Sequence, residues 1–172
     1  MANKLGTDKF ANIAYLYVAA TSNDVLATAR LDMANNLLSE KAAIIISRAD
    51  VFIGNVGAIN AAGESISVAL QLTDRLTTIS LADPETLFTT GVIRYDAGTA
   101  GTGNLWISPI VLDFSNLPGG GILVPADRLY IAVKSENLAA LANAAMRIYY
   151  TVVPLAPADY WELIEARRIM TT

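Results

Sequence analysis

Histidine and cysteine are both absent from this 172-residue chain. With them go the side chains that most often supply general bases near neutral pH, soft metal ligands and covalent nucleophiles. No disulfide can brace the fold, and no Asn-x-Ser/Thr sequon occurs, which fits a protein made and assembled inside a cell. Charge is scarce too: 16% of residues are charged against 53% hydrophobic, where ordinary domains carry about 25% charged residues. A lone subunit of this size needs a polar coat, so the shortage implies apolar surface covered by other subunits. A net charge of −4 and a pI of about 4.7 create no field that would attract nucleic acid. Lys4 and Lys9 are offset by Asp8 and lead into no basic run, so no polycationic arm is expected. Long apolar runs are also missing despite a mean hydropathy of +0.42. The charge-free windows 10–23 and 97–112 fall short of the roughly 18 residues of a spanning helix and contain Asn, Ser, Thr or Gly. Residues 1–20 lack the basic start and continuous apolar block of a signal peptide.

What the chain does have is hydrophobicity of period two. In Ser65-Ile66-Ser67-Val68-Ala69-Leu70-Gln71-Leu72-Thr73, the residues Ile66, Val68, Leu70 and Leu72 fall on one side of an extended backbone. Ser65, Ser67, Gln71 and Thr73 fall on the other. Similar runs predict strands at 11–19, 26–34, 42–53, 64–73, 86–95, 104–114, 121–124, 128–134 and 144–154. Turn signals separate them: Gly54-Asn55-Val56-Gly57, Asp83-Pro84-Glu85, the Gly/Thr-rich stretch 96–104, and Leu117-Pro118-Gly119-Gly120-Gly121. Eight or nine strands at this spacing predict an all-β fold, a single jelly roll or β-sandwich, in one domain spanning 1–172. Residues 1–10 form an N-terminal segment of that domain.

Two segments carry helical signals. Ser22-Asn23-Asp24 can cap a helix with Leu26, Ala29, Met33 and Leu37 on one face, but Val25, Ala27, Ala29, Leu31 and Met33 also alternate. Both conformations remain open there. The C-terminal signal is firmer and predicts a helix at 157–170. Pro157 suits a first turn, Asp159 and Glu162 lie near the positive end, and Arg167 and Arg168 near the negative end. Tyr160, Trp161 and Ile164 make an apolar stripe that needs something to pack on, and they are the candidate interface residues. The stripe is expected to lie against the sheet of its own subunit or of a neighbour, with Glu162, Glu165 and Arg167 facing water.

Motifs for chemistry are thin. Gly54-x-x-Gly57 followed by Gly63 lacks G-x-G-x-x-G spacing and leads into a strand, so it is a plain β–β loop and not a nucleotide-binding turn. Gly119-Gly120-Gly121 has no following Lys-Ser/Thr and reads as a flexible lead into a strand. Asp74, Asp83, Glu85 and Asp96 are the remaining acid–base candidates; they read as solvated loop acids or at most a weak calcium site. No catalytic residue, metal ligand or cofactor is assigned, and no enzymatic role is expected. A carbohydrate-binding or adhesive sandwich module is the alternative, but aromatics are only 8% of residues, and Trp106, Tyr130, Tyr149 and Tyr150 all lie within strands. Tyr149 and Tyr150 point to opposite faces, so one of them should face outward.

Three stretches carry a family likeness: Lys41-Ala42-Ala43-Ile44-Ile45-Ile46-Ser47-Arg48-Ala49-Asp50-Val51-Phe52-Ile53, then residues 64–73, then Arg147-Ile148-Tyr149-Tyr150-Thr151-Val152-Val153-Pro154 running into Tyr160-Trp161-Glu162-Leu163. In these the chain resembles viral capsid proteins built on a jelly roll. In size and style it is similar to the small major capsid protein of tailless, icosahedral, membrane-containing phages of thermophilic bacteria. That resemblance implies self-assembly, with many copies, and a second capsid protein beside them, tiling a virion shell around a genome and an internal membrane. It implies assembly in the host cytoplasm and no direct contact with nucleic acid.

Overall fold

Isoleucine, valine and alanine dominate the run that forms the longest strand, β3 (Ala42–Gly54), and β-branched side chains suit a pleated, buried surface. The structure is a computed structural model and describes residues 12–32, 42–59, 61–74, 77–93, 109–125 and 128–170. Around β3 lie β1 (Asn12–Ala19), β2 (Ala27–Asp32), β4 (Ser65–Gln71), β5 (Thr86–Ile93) and β6 (Ile110–Asp113). They are followed by β7 (Ile122–Val124), β8 (Arg128–Glu136), β9 (Asn143–Pro154) and a helix, α1 (Pro157–Met170). No described helix is long and apolar enough to cross a membrane.

The strands form two antiparallel sheets. One has the order β1-β9-β3-β6, with β7 also pairing with β3; the other has the order β2-β8-β4-β5. The path is that of a long ribbon folded back at β4–β5: β1, β2 and β3 going out are paired with β9, β8 and β7/β6 coming back. Winding that ribbon so that successive pairs alternate between sheets gives a jelly roll.

The two inner faces close on one apolar core. Ile44, Ile46, Ala49, Val51, Met146 and Ile148 come from the first sheet; Ile66, Val68, Leu70, Leu129, Ile131 and Val133 come from the second. All twelve are fully buried, and truncating one of the large ones to alanine costs about 2–5 kcal/mol.

A β-bulge between Ile46 and Arg48 makes this core possible. Before it the even-numbered residues Ile44 and Ile46 point inward; after it the odd-numbered Ala49 and Val51 do. Without the extra residue, Arg48 and Asp50 would enter the core, because a one-residue slip exchanges the two faces of a strand. Ser47, at the bulge, donates from Oγ to the Tyr149 carbonyl at 3.3 Å, and its own carbonyl accepts from the Phe114 amide at 2.8 Å.

The segment open to either helix or strand is β-structured over Ala27–Asp32. Asp24 has φ 58 and starts no helix, so residues 20–26 form a turn. Residues 33–41 lie outside the described set, as do the N-terminal segment 1–10 and the first five residues of the strand expected at 104–114, of which Ile110–Asp113 is β-structured.

Candidate assembly surface

Alternation along β3, β9 and β1 decides what the first sheet shows on its outer face. With Ala49, Val51, Met146, Ile148, Leu16 and Val18 inward, the outward residues are Arg48, Asp50 and Phe52 on β3, Arg147 and Tyr149 on β9, and Ile13, Tyr15 and Tyr17 on β1. The registers arrange these in rows. Tyr15, Arg147, Asp50 and Val111 lie side by side across β1, β9, β3 and β6; Ile13, Tyr149, Arg48 and Asp113 form the row beside them. Ile13, Tyr15 and Tyr17 are 63%, 59% and 55% exposed, and Phe52, Val111 and Leu123 are also open. Isolated exposed apolar residues are ordinary; six on one sheet face are a patch.

Charges run through the middle of this patch and compensate one another. Arg48 donates from Nε to Asp50 Oδ1 at 2.7 Å, and the Tyr149 hydroxyl donates to Asp50 Oδ2 at 3.1 Å. The Arg48 guanidinium lies over the Tyr149 ring at 5.3 Å, and that of Arg147 over the Phe52 ring at 5.7 Å. Asp50 is thereby nearly buried while fully hydrogen-bonded, which is what makes a carboxylate tolerable there. The hydrogen bond to Asp50 raises the Arg48 pKa above its ordinary value. Asp113 is held below the usual carboxylate range by hydrogen bonding to Ser115, whose amide donates to Asp113 Oδ1 at 2.9 Å. On the inner side of β9, burial alone pushes the Tyr150 phenol up. Tyr149 is thus the outward member of the pair.

At one end of the sandwich, three connections are tied together by asparagine amides. Asn23 donates to the Ala139 carbonyl at 3.2 Å, Asn137 to the Gly63 carbonyl at 3.3 Å, and Asn55 to the Leu141 carbonyl. The β1–β2, β3–β4 and β8–β9 connections are therefore held as a unit. Asn55 and Asn137 adopt left-handed backbone angles of φ 60 and φ 57, a region that asparagine tolerates better than most residues.

The C-terminal candidates separate. Tyr160 is buried, and its amide donates to the Ala156 carbonyl at 2.9 Å as the helix begins. Trp161, expected to pack with it, is 58% exposed and touches Tyr160 edge-on at 5.7 Å. Consecutive residues on a helix lie about 100° apart, so only one of the two can face the body of the chain. The side chain of Ile164 lies outside the described set.

Of the loop acids, Asp83 forms a turn. Asp83 Oδ1 accepts from the Glu85 amide at 2.9 Å and the Asp83 carbonyl from the Thr86 amide at 3.0 Å. Asp96 and Trp106 lie outside the described residues. Among those described, no three carboxylates gather where they could hold a metal ion. The Gly54–Gly63 stretch is a β–β connection with one 3-10 turn, Val56–Ala58. Sequence reasoning missed the outward row of β1. Ile13, Tyr15 and Tyr17 alternate with the buried Leu16 and Val18, so both faces are apolar and no period-two contrast marks the exposed one.

No protein-family model matches the sequence, and no curated protein does. Solved structures match in fold. Merkel cell polyomavirus VP1 in complex with 3'-sialyllactosamine superposes with a TM-score of 0.51 at 10% identity, over 87% of this chain and 97% of that one. The unassembled pentamer of the same VP1 gives 0.51 at 9% identity, with the same coverage. VP1 of Trichodysplasia spinulosa-associated polyomavirus with 3'-sialyllactose gives 0.50 at 11%, over 88% and 97%. At such identity the likeness is one of fold: the chain is a jelly-roll sandwich of the architecture found in these viral capsid proteins.

Proposed function

We propose that this chain is a structural coat protein that assembles with copies of itself into an icosahedral virion shell. What carries the proposal is the outer face of the first sheet: a broad apolar and aromatic patch with internally paired charges, on the fold that VP1 subunits use. Aromatic residues and arginine are enriched in protein interfaces, and here they dominate the exposed face of one sheet. The low charge content of the whole chain supports the same reading. A structural rather than catalytic role is supported by Asp83, an acid–base candidate that is engaged in a turn.

In the finer version of this proposal the shell belongs to a tailless phage of the membrane-containing kind. A second capsid protein shares the lattice, an internal membrane lies beneath, and assembly takes place in the host cytoplasm. Tyr160, Trp161 and Ile164 remain interface candidates, with the exposed Trp161 the one placed to meet a neighbour.

Electron microscopy of the concentrated protein, alone and with the structural proteins encoded beside it, tests the proposal. A regular curved lattice or closed particles support it. Isolated single chains under both conditions, combined with binding to a glycan array, would overturn it in favour of the carbohydrate-binding module.

A further inference from the structure

The outer face of the first sheet is patterned to pair with itself. We infer that two copies pack this face against this face, about a two-fold axis running across the strands between the Asp50 row and the Arg48 row. The inference rests on the self-assembly reading above and names the surface and the partner.

Each sheet's outer face is covered in part. On the second sheet the outward Ala69 and Ala132 are buried within the chain, and on the first so are Ala43 and Val153 at the end of β3 and β9. Towards β1 the first sheet is open, with Ile13, Tyr15 and Tyr17 each more than half exposed. The uncovered part of this face is the region of the Asp50 and Arg48 rows.

Its chemistry selects the axis. A two-fold axis in the plane of the contact and across the strands reverses position along each strand and preserves position across the sheet. Residues of the Asp50 row then face residues of the Arg48 row on the same strand of the second copy. Tyr15 meets Ile13, apolar on apolar. Arg147 meets Tyr149, a guanidinium on an aromatic ring. Asp50, nearly buried under its own Arg48 and Tyr149, comes opposite the more open Arg48 of the second copy, so opposite charges face each other there. At the β6 edge Val111 comes opposite Asp113, the one mismatched pair of the two rows. One row further out, Phe52 comes over Ile45 and Leu123, which pair on the outer side of β3 and β7. An axis along β3 would instead set Asp50 on Asp50 and Arg48 on Arg48, and like charges facing each other are penalised. The across-strand axis also leaves the two sheets with nearly aligned strands, the common way for sheets to pack.

The area suffices. The open parts of Ile13, Tyr15, Tyr17, Phe52, Val111 and Leu123 amount to roughly 700 Å², close to the ~800 Å² per partner of a standard stable interface.

The experiment is sedimentation of the full chain and of Tyr15→Asp at micromolar concentration, with circular dichroism and thermal melting of both. The wild type should sediment as two chains. Tyr15→Asp should sediment as one at the same concentration, with association at least about 30-fold weaker, as for an interface hot spot, and with an unchanged melting profile. Because the chain has no cysteine, a mixture of Ile13→Cys and Tyr15→Cys chains can be joined by a short bis-maleimide; a covalent pair is expected there and none with Thr28→Cys on the other sheet. A wild type that stays a single chain, or a Tyr15→Asp variant that associates like the wild type, would overturn the inference. A regular lattice that persists in Tyr15→Asp would overturn this contact while leaving the coat reading intact. A pair that forms as described but never builds a lattice with any companion protein would do the reverse.

Discussion

Tyr149 on β9 and Asp50 on β3, 99 residues apart in sequence, are joined by a hydrogen bond of 3.1 Å on the outer face of the first sheet. The bond exists because the bulge at Ser47 shifts Asp50 out of the core phase and places it beside Tyr149, with Arg48 on its other oxygen. Tyr149→Phe removes a donor from a carboxylate that is 6% exposed. The expected loss is about 1–3 kcal/mol of unfolding free energy, read by urea denaturation. A loss within error would mean that water replaces the hydroxyl.

Gly91 on β5 lies against β4, where a methyl group at its Cβ position would sit 2.6 Å from the Ile66 carbonyl oxygen. Gly91→Ala must therefore push β5, an edge strand of its sheet, away from its partner. A destabilisation of about 1–3 kcal/mol is expected, with amide exchange accelerated first in β5. Exchange that speeds up equally in all strands would contradict this local account.

Asn137 combines a left-handed backbone with an amide that spans to Gly63. Asn137→Gly loses the hydrogen bond but relieves the left-handed strain, whereas Asn137→Ala loses the hydrogen bond and keeps a Cβ in that conformation, at about 1–2 kcal/mol relative to glycine. The alanine variant should melt below the glycine variant. The opposite order would show that the connection relaxes out of the left-handed region.

Asp113 closes the turn after β6 by accepting from Ser115, and its pKa is lowered in the folded chain. A group depressed on folding contributes stability that is present above its unfolded pKa and is lost as pH falls through the folded one. The turn should loosen at acid pH below the ordinary carboxylate range, and Asp113→Asn should remove that dependence. Carboxyl titration by NMR checks it; a value at or above that of an unstructured aspartate would contradict the hydrogen bond.

In the C-terminal helix, Tyr160 is buried and Trp161 is not. Tyr160→Ala is expected to lower the melting temperature clearly, and Trp161→Ala hardly at all in the isolated chain. Truncation after Pro154 should behave like Tyr160→Ala in melting. If Trp161→Ala matches Tyr160→Ala, the indole is packed against the subunit.

Much of the fold was legible because inward and outward residues contrast along most strands. The runs 42–53, 128–134 and 144–154 correspond to Ala42–Gly54, Arg128–Glu136 and Asn143–Pro154, and Pro157 opens the helix where the sequence places its first turn. The bulge at Ser47 was not legible, since Ile44-Ile45-Ile46 is apolar at every position and hides the parity change. The exposed row Ile13, Tyr15, Tyr17 was hidden for the same reason. A strand buried on one side by its own chain and apolar on the other has the sequence of a strand buried on both. In the stripe Tyr160-Trp161 the single chain buries Tyr160 and leaves Trp161 exposed, since consecutive helical residues lie about 100° apart.

The proposal that this jelly roll joins copies of itself is tested most directly by sedimentation velocity of the full chain from dilute to concentrated solution. A discrete species heavier than one chain is expected at micromolar concentration, giving way to larger assemblies as concentration rises. A single-chain sedimentation coefficient across the whole range would contradict it.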